Sequence, residues 1–164
     1  MIPAVGLRTQ AWHGATAWAE AGSAVGYLSG RMLPDYRVGI AFARSFGTVS
    51  PAESPGWFGD TAMDGLFASR FGKDTLFIQQ GRAGYGAPLG PAAVQFYWNG
   101  NLTLDQKRED WANFWETGPG VRISGKFMPR SAYFSLNVLS GRYLVGAHER
   151  YTDVRAGIWY AFTY

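Results

Sequence analysis

Asp153-Val154-Arg155-Ala156-Gly157-Ile158-Trp159-Tyr160-Ala161-Phe162-Thr163-Tyr164 ends the chain and alternates throughout. Val154, Ala156, Ile158, Tyr160, Phe162 and Tyr164 share one face, and all are apolar or aromatic. Asp153, Arg155, Gly157, Trp159, Ala161 and Thr163 share the other. A period of two is that of an extended strand, whose successive side chains point to opposite faces. Strands of soluble sheets usually run about five or six residues. This segment is longer and reaches the roughly nine to eleven tilted residues that cross a bilayer's hydrocarbon. It therefore reads as the closing strand of a β-barrel of the outer-membrane type. Its apolar face would meet lipid, and its terminal aromatics would sit at the membrane–water interface.

The same pattern recurs upstream. In Val94–Leu104, Val94, Phe96, Trp98, Gly100, Leu102 and Leu104 alternate with Gln95, Tyr97, Asn99, Asn101 and Thr103. In Tyr36–Phe46, Tyr36, Val38, Ile40 and Phe42 alternate with Arg37, Gly39, Ala41, Ala43 and Ser45. Ala11–Ala21 is alanine-rich, but Gly14, Gly22 and Gly26 argue against a helix, so it too reads as strand. The spacing predicts strands over roughly 4–13, 15–28, 35–47, 74–86, 91–105, 110–127, 131–145 and 151–164, with a further hairpin partner at 61–71 left open. Thr48–Asp60, punctuated by Pro51 and Pro55, reads as loop, and Trp57 and Phe58 as its exposed contact. The expected fold is all-β: an antiparallel up-and-down transmembrane barrel of about eight strands, or part of a larger one. With the C-terminus periplasmic, eight strands return the N-terminus to the periplasm and place the 48–73 segment outside.

Composition agrees. Charged residues are 16% of the chain, against roughly 25% in soluble domains. Aromatic residues are also 16%, and Gly reaches 22 of 164. The net charge of +3 comes from scattered residues, without the basic stripe a nucleic-acid groove requires. No run of about 18 apolar residues suggests a membrane helix. Cys is absent, which excludes disulfides and thiolate metal sites. Met1-Ile2-Pro3-Ala4-Val5-Gly6 lacks the features of a signal peptide. Residues 1–164 read as a single barrel domain, with truncation at the N-terminus as the explanation for the missing export signal.

Catalytic constellations are not apparent. His13 and His148 are the two histidines, too few ligands for a metal site at recognised spacing. His148 and Glu149, near Ser140, are the local candidates for a lipid-modifying site. As sequence neighbours in an extended segment they point to opposite sides, and a solvated loop is the expectation. Gly81-Arg82-Ala83-Gly84-Tyr85-Gly86 resembles a nucleotide loop superficially, but no helix pattern follows it. Asn101-Leu102-Thr103 matches a glycosylation sequon in mid-strand. No enzyme activity and no cofactor is expected.

The charged residues on inward positions are the more informative set. Arg37, Arg82, Glu116, Arg122, Lys126, Asp153 and Arg155 are expected to line the lumen, because charge facing hydrocarbon costs about 2–4 kcal/mol for Arg or Lys at the midplane. Eight strands leave room only for side chains, so these charges would form a closed interior; a wider barrel would make them the wall of a wet channel. Arg155, Gly157, Tyr160, Phe162 and Tyr164 match the spacing by which barrel-assembly machinery recognises a last strand: a polar residue, a glycine two on, then aromatics near the end.

Asn113-Phe114-Trp115-Glu116-Thr117-Gly118-Pro119-Gly120-Val121-Arg122 and Asp153–Phe162 resemble the C-terminal barrels of bacterial exopolysaccharide-export and phage-adsorption outer-membrane proteins. The resemblance runs from about Gly39 onward. In those families a periplasmic tetratricopeptide region precedes the barrel, and this chain carries no such repeats. The resemblance implies location in a Gram-negative outer membrane, and passage or surface display of polysaccharide. It also implies lipid, assembly machinery and envelope proteins as partners. Two other readings stay open: a non-conducting barrel that anchors an envelope complex, and a soluble β-sandwich binding protein.

Overall fold

The structure, a computed structural model, describes residues 4–9, 12–25, 31–48, 54–125, 128 and 132–160. The chain is all-β. It forms nine strands: β1 (Ala4–Arg8), β2 (Ala15–Val25), β3 (Met32–Gly47), β4 (Gly56–Ala68), β5 (Asp74–Leu89), β6 (Ala92–Asp105), β7 (Phe114–Gly125), β8 (Ala132–Tyr143) and β9 (Arg150–Tyr160). Each pairs antiparallel with the next, in the spatial order β1 to β9. β1 and β9 are the two edges, and no pairing joins them among the described residues.

The expected meander is present, with one strand more than the eight drawn from the sequence. Gly56–Ala68 is a strand, which takes Gly56–Asp60 out of the expected loop and answers the open hairpin partner at 61–71; it pairs along its length with β3 and β5. Trp57, Gly59, Thr61, Met63, Gly65 and Phe67 alternate with Phe58, Asp60, Ala62, Asp64, Leu66 and Ala68, a pattern masked by the adjacent prolines and by glycines among the apolar positions. The extra strand also corrects the parity. The end of β3 and the start of β4 now lie at the same end of the sheet as the end of β9, while the 69–73 turn lies at the opposite end. The start of β1 lies at that opposite end too, so it does not share an end with the C-terminus.

Polarity divides the sheet into two unlike faces. One carries Val38, Ile40, Phe96, Trp98, Val154 and Ile158, each more than half exposed. The other carries Asp35, Asp74, Gln95, Asn99, Glu116 and Ser135, all buried, with Leu76, Tyr97 and Leu139. Side chains from distant strands meet on this polar face: Glu116 on β7 reaches Arg155 on β9, and Tyr97 on β6 reaches Asn137 on β8. Asp60 on β4 and Arg155 on β9 line one cavity. The sheet therefore curls around its polar face, which is concave, and presents its apolar face outward.

Candidate functional site: the polar concave face

The alternation that makes β5–β9 strands also fixes what enters the concave face. Arg82 (β5), Tyr97 (β6), Arg122 (β7), Tyr133 (β8) and Trp159 (β9) all project there. They form a cation–aromatic ladder across five consecutive strands. The Arg82 guanidinium carbon stands 5.6 Å from the centre of the Tyr97 ring, and that of Arg122 stands 5.8 Å from the same ring. Arg122 lies 4.1 Å from the centre of Tyr133. Tyr133 and Trp159 are register partners whose rings stack at 6.4 Å and 20°. Phe58 on β4 meets Tyr97 edge-on at 6.3 Å. A guanidinium placed over an aromatic face is attracted by the ring's quadrupole, more strongly where water is excluded.

Ion pairs and amides occupy the remainder of this face. Arg82 Nε donates to Asp60 Oδ1 at 2.9 Å. Arg155 bridges two acids, donating from Nη2 to Glu116 Oε1 at 2.6 Å and from Nε to Asp153 Oδ2 at 2.7 Å. Glu116, only 2% exposed, also accepts from the Tyr151 hydroxyl at 2.9 Å and from Asn101 Nδ2 at 3.3 Å. Asn137 Oδ1 accepts from the Tyr97 hydroxyl and from Asn99 Nδ2. Arg122 differs from its neighbours. Nη1 reaches Gln95 Oε1 at 3.4 Å, while Nε and Nη2 are buried without a hydrogen-bond partner among the described residues. On β3, Arg37 pairs with Asp35 at 3.0 Å and with Glu20 of β2 at 3.4 Å.

A cavity of about 590 Å³ opens on this face between β4 and β9. Gln80, Asn99, Asn101 and Asn137 supply amides to its wall, and Tyr97, Tyr133 and Trp159 supply rings. Amides both donate and accept, so this wall can satisfy hydroxyl groups of either orientation. Among the described residues, no group of three or more His, Asp or Glu is placed to hold a metal.

The charged residues picked out by alternation, Arg37, Arg82, Glu116, Arg122, Asp153 and Arg155, share this concave face. Arg82, Glu116, Arg122, Asp153 and Arg155 converge, while Arg37 belongs to the separate Glu20–Asp35 cluster. Lys126, Phe162 and Tyr164 lie outside the described residues, and Tyr160 is described in its backbone alone. Arg155 and Gly157 face inward on β9, where Gly157 opposes Ser135. Trp57 and Phe58 are not a loop contact. Both belong to β4, and the alternation sends them to opposite faces: Trp57 outward beside Tyr85, with rings 5.5 Å apart, and Phe58 inward and 6% exposed. His148 and Glu149 lie in the exposed β8–β9 connection.

Sequence reasoning missed the aromatic members of the ladder. Tyr97, Tyr133 and Trp159 occupy inward positions, but an aromatic there looks like any other strand aromatic until its neighbours two strands away are known. Glu20 lies on a strand that the alternation draws, whereas Asp60 was missed because Thr48–Asp60 reads as loop and is in fact part of β4. Compared with known protein families, curated proteins and solved structures, the chain shows no match.

Proposed function

We propose that this chain is an outer-membrane β-barrel, or a large part of one, serving export or surface display of polysaccharide in a Gram-negative envelope. One observation carries the membrane reading: the polarity is inverted. A soluble sheet buries its apolar face and wets its polar one. Here ion pairs and amides lie inside the curl, while Val38, Ile40, Phe96, Trp98, Val154 and Ile158 face out. Lipid is the solvent that such a surface suits. Strands β2–β9, of 11 to 16 residues, are long enough to cross it when tilted. Bilayer lipid and barrel-assembly machinery are the partners this reading requires.

The polysaccharide part rests on the resemblance of Asn113–Arg122 and Asp153–Phe162 to export barrels, supported by the amide and aromatic wall of the cavity. A second reading, a non-conducting anchor, is favoured by the Arg82–Asp60 and Arg155–Glu116 pairs, which knit the interior together.

The test is to refold the purified chain in detergent and, separately, in plain buffer, and to compare gel mobility before and after boiling. A compact, heat-shifted band in detergent alone is expected; a folded monomer in plain buffer overturns the membrane reading. Titrating the folded chain with a neutral glucan hexasaccharide then separates the two functions. Saturable quenching of tryptophan fluorescence is expected for the polysaccharide reading, and its absence favours the anchor.

A further inference from the structure

The hairpin of β8 and β9 sets two like charges side by side. Arg142 and Arg150 are register partners, the pair next to the connection, and both are exposed. Each is an even number of residues from an outward valine on its own strand, Val138 and Val154, so both share the outward face. Directly opposed side chains in an antiparallel pair have Cβ atoms about 4.5–5.5 Å apart, and like charges there are destabilising. On the concave face Arg37, Arg82 and Arg155 each meet a carboxylate. Among the described residues, the side chains of Arg142 and Arg150 have no hydrogen bond or ion pair. Asp153, close by in sequence, faces inward and is taken by Arg155. We propose that Arg142 and Arg150 form a binding site for an anionic lipid headgroup, whose phosphate bridges the two guanidinium groups at the edge of the bilayer. The inference rests on the membrane reading above and goes beyond it, because it names a lipid class and the residues that select it.

The level of the pair on the sheet supports a headgroup. The 11 residues of β9 extend about 33 Å at about 3.3 Å per residue. At a tilt of about 40° that is about 25 Å along the membrane normal, the height of the apolar band of a membrane barrel. Val154, Ala156 and Ile158 face out within this span, and Arg150 stands at its edge, where hydrocarbon gives way to headgroups. Trp115, the β7 register partner of Arg142, is 40% exposed on the same face, and tryptophan is enriched at that interface. Between the arginines and the valines lie Ser140 and Thr152, also register partners and exposed. They stand about 7 Å along the strands from the arginines, at the depth of a lipid's ester groups, to which their hydroxyls can donate.

The chemistry of the pair selects phosphate. A guanidinium offers a planar fork of donors that matches phosphate oxygens two at a time. One anion between two such forks replaces their repulsion with attraction to a shared partner. A zwitterionic headgroup brings its own cation to the same place and answers the repulsion less well.

The test starts from the chain folded in neutral detergent, with its heat-shifted band recorded. Equal amounts of phosphatidylglycerol and phosphatidylcholine with the same acyl chains are added, and native mass spectrometry counts the lipid that each folded monomer retains. The expected result is phosphatidylglycerol retained about tenfold over phosphatidylcholine, since basic residues at a membrane surface attract anionic lipid. Arg142→Gln with Arg150→Gln should bring the ratio below about twofold. Arg44→Gln, which removes an exposed charge near the other end of the sheet, should leave it unchanged. If the double-glutamine chain does not fold, Arg150→Glu decides: it supplies Arg142 with a carboxylate from within, so the chain should fold and the preference should vanish. Equal retention of the two lipids by the unaltered chain, or a preference that survives these substitutions, overturns the proposal. Displacement of the lipid by excess inorganic phosphate assigns the pair to free phosphate, and tighter retention of a polyglutamate peptide assigns it to a protein partner; either overturns the lipid site. A chain that folds only in plain buffer overturns the membrane reading and the site with it. A chain that folds in detergent without a headgroup preference overturns the site alone.

Discussion

The guanidinium of Arg122 is packed 4.1 Å from the centre of the Tyr133 ring, yet two of its nitrogens, Nε and Nη2, are buried without a hydrogen-bond partner among the described residues. The contact is thus held by the ring and not by an acid. Tyr133→Leu should remove the ring's attraction and cost about 1–2 kcal/mol, while Tyr133→Phe should keep most of it. Arg122→Met should be neutral or stabilising, because replacing a poorly paired buried charge with an apolar chain of similar size removes a desolvation cost. Urea midpoints of the detergent-folded chain measure all three. An Arg122→Met variant as unstable as Tyr133→Leu would show that Arg122 has polar partners beyond Gln95.

Glu116 and Asp153 both receive Arg155, but their surroundings differ, and so should the consequences of losing them. Glu116 is 2% exposed and accepts from Arg155, Tyr151 and Asn101. Removing it takes the acceptor from the half-buried Tyr151 hydroxyl, from Asn101 and from one nitrogen of Arg155, and Glu116→Ala should cost about 1–3 kcal/mol. Asp153 belongs to an open pair, its side chain 37% exposed and that of Arg155 47%. Asp153→Ala should cost less than about 1 kcal/mol. The same denaturation experiment reads both, and equal losses would contradict the burial of Glu116.

Gly118 allows a close approach that no other residue fits. A Cβ built there lies 2.0 Å from the Val138 carbonyl oxygen. The β7–β8 register is also interrupted at Gly118 and Pro119, between Thr117↔Ser140 and Gly120↔Asn137, and Pro119 has no N–H to contribute. Gly118→Ala should force the two strands apart and sharply lower the folded fraction. At Gly100 a Cβ meets nothing within 4 Å, so Gly100→Ala should leave the folded fraction within about twofold, since a glycine in a strand brings only added chain entropy. Folded and unfolded bands on an unboiled gel give the ratio directly.

These expectations depend on how much of the molecule is readable in one dimension. The faces of β3, β6 and β9 were legible, because an even run of apolar and polar positions admits one assignment. β4 was legible only as an open hairpin partner at 61–71, because Gly59 and Gly65 stand where the alternation wants bulk and Pro51 and Pro55 advertise a loop. That one strand changed the parity, and with it which end of the sheet each turn occupies. The inward charges were legible individually, since on an alternating strand each falls on the face opposite its apolar neighbours. Their partners were not. Arg82 with Asp60 and Arg155 with Glu116 are set by register and curl. So is the stacking of Tyr97, Arg122, Tyr133 and Trp159, which joins strands that alternation treats independently.

The inverted polarity itself makes the sharpest prediction, because adjacent residues of one strand should respond oppositely. Ile40 and Ala41 lie near the middle of β3. Ile40 faces outward and is 63% exposed, and Ala41 faces the concave side, where its β4 register partner is Asp64. Exposure to water would make Ile40→Arg harmless and would favour it for solubility. Exposure to hydrocarbon would make it cost about 2–4 kcal/mol near the midplane. Ala41→Arg adds a similar charge on the face that already holds Arg37 and Arg82, opposite an acid that can receive it. In lipid vesicles, Ile40→Arg is expected to lower the yield of the heat-shifted band by tenfold or more, and Ala41→Arg by less than threefold. If the two variants insert equally well, the outward face of β3 does not meet lipid. The apolar surface running from Val38 to Phe42 would then have to be covered by protein.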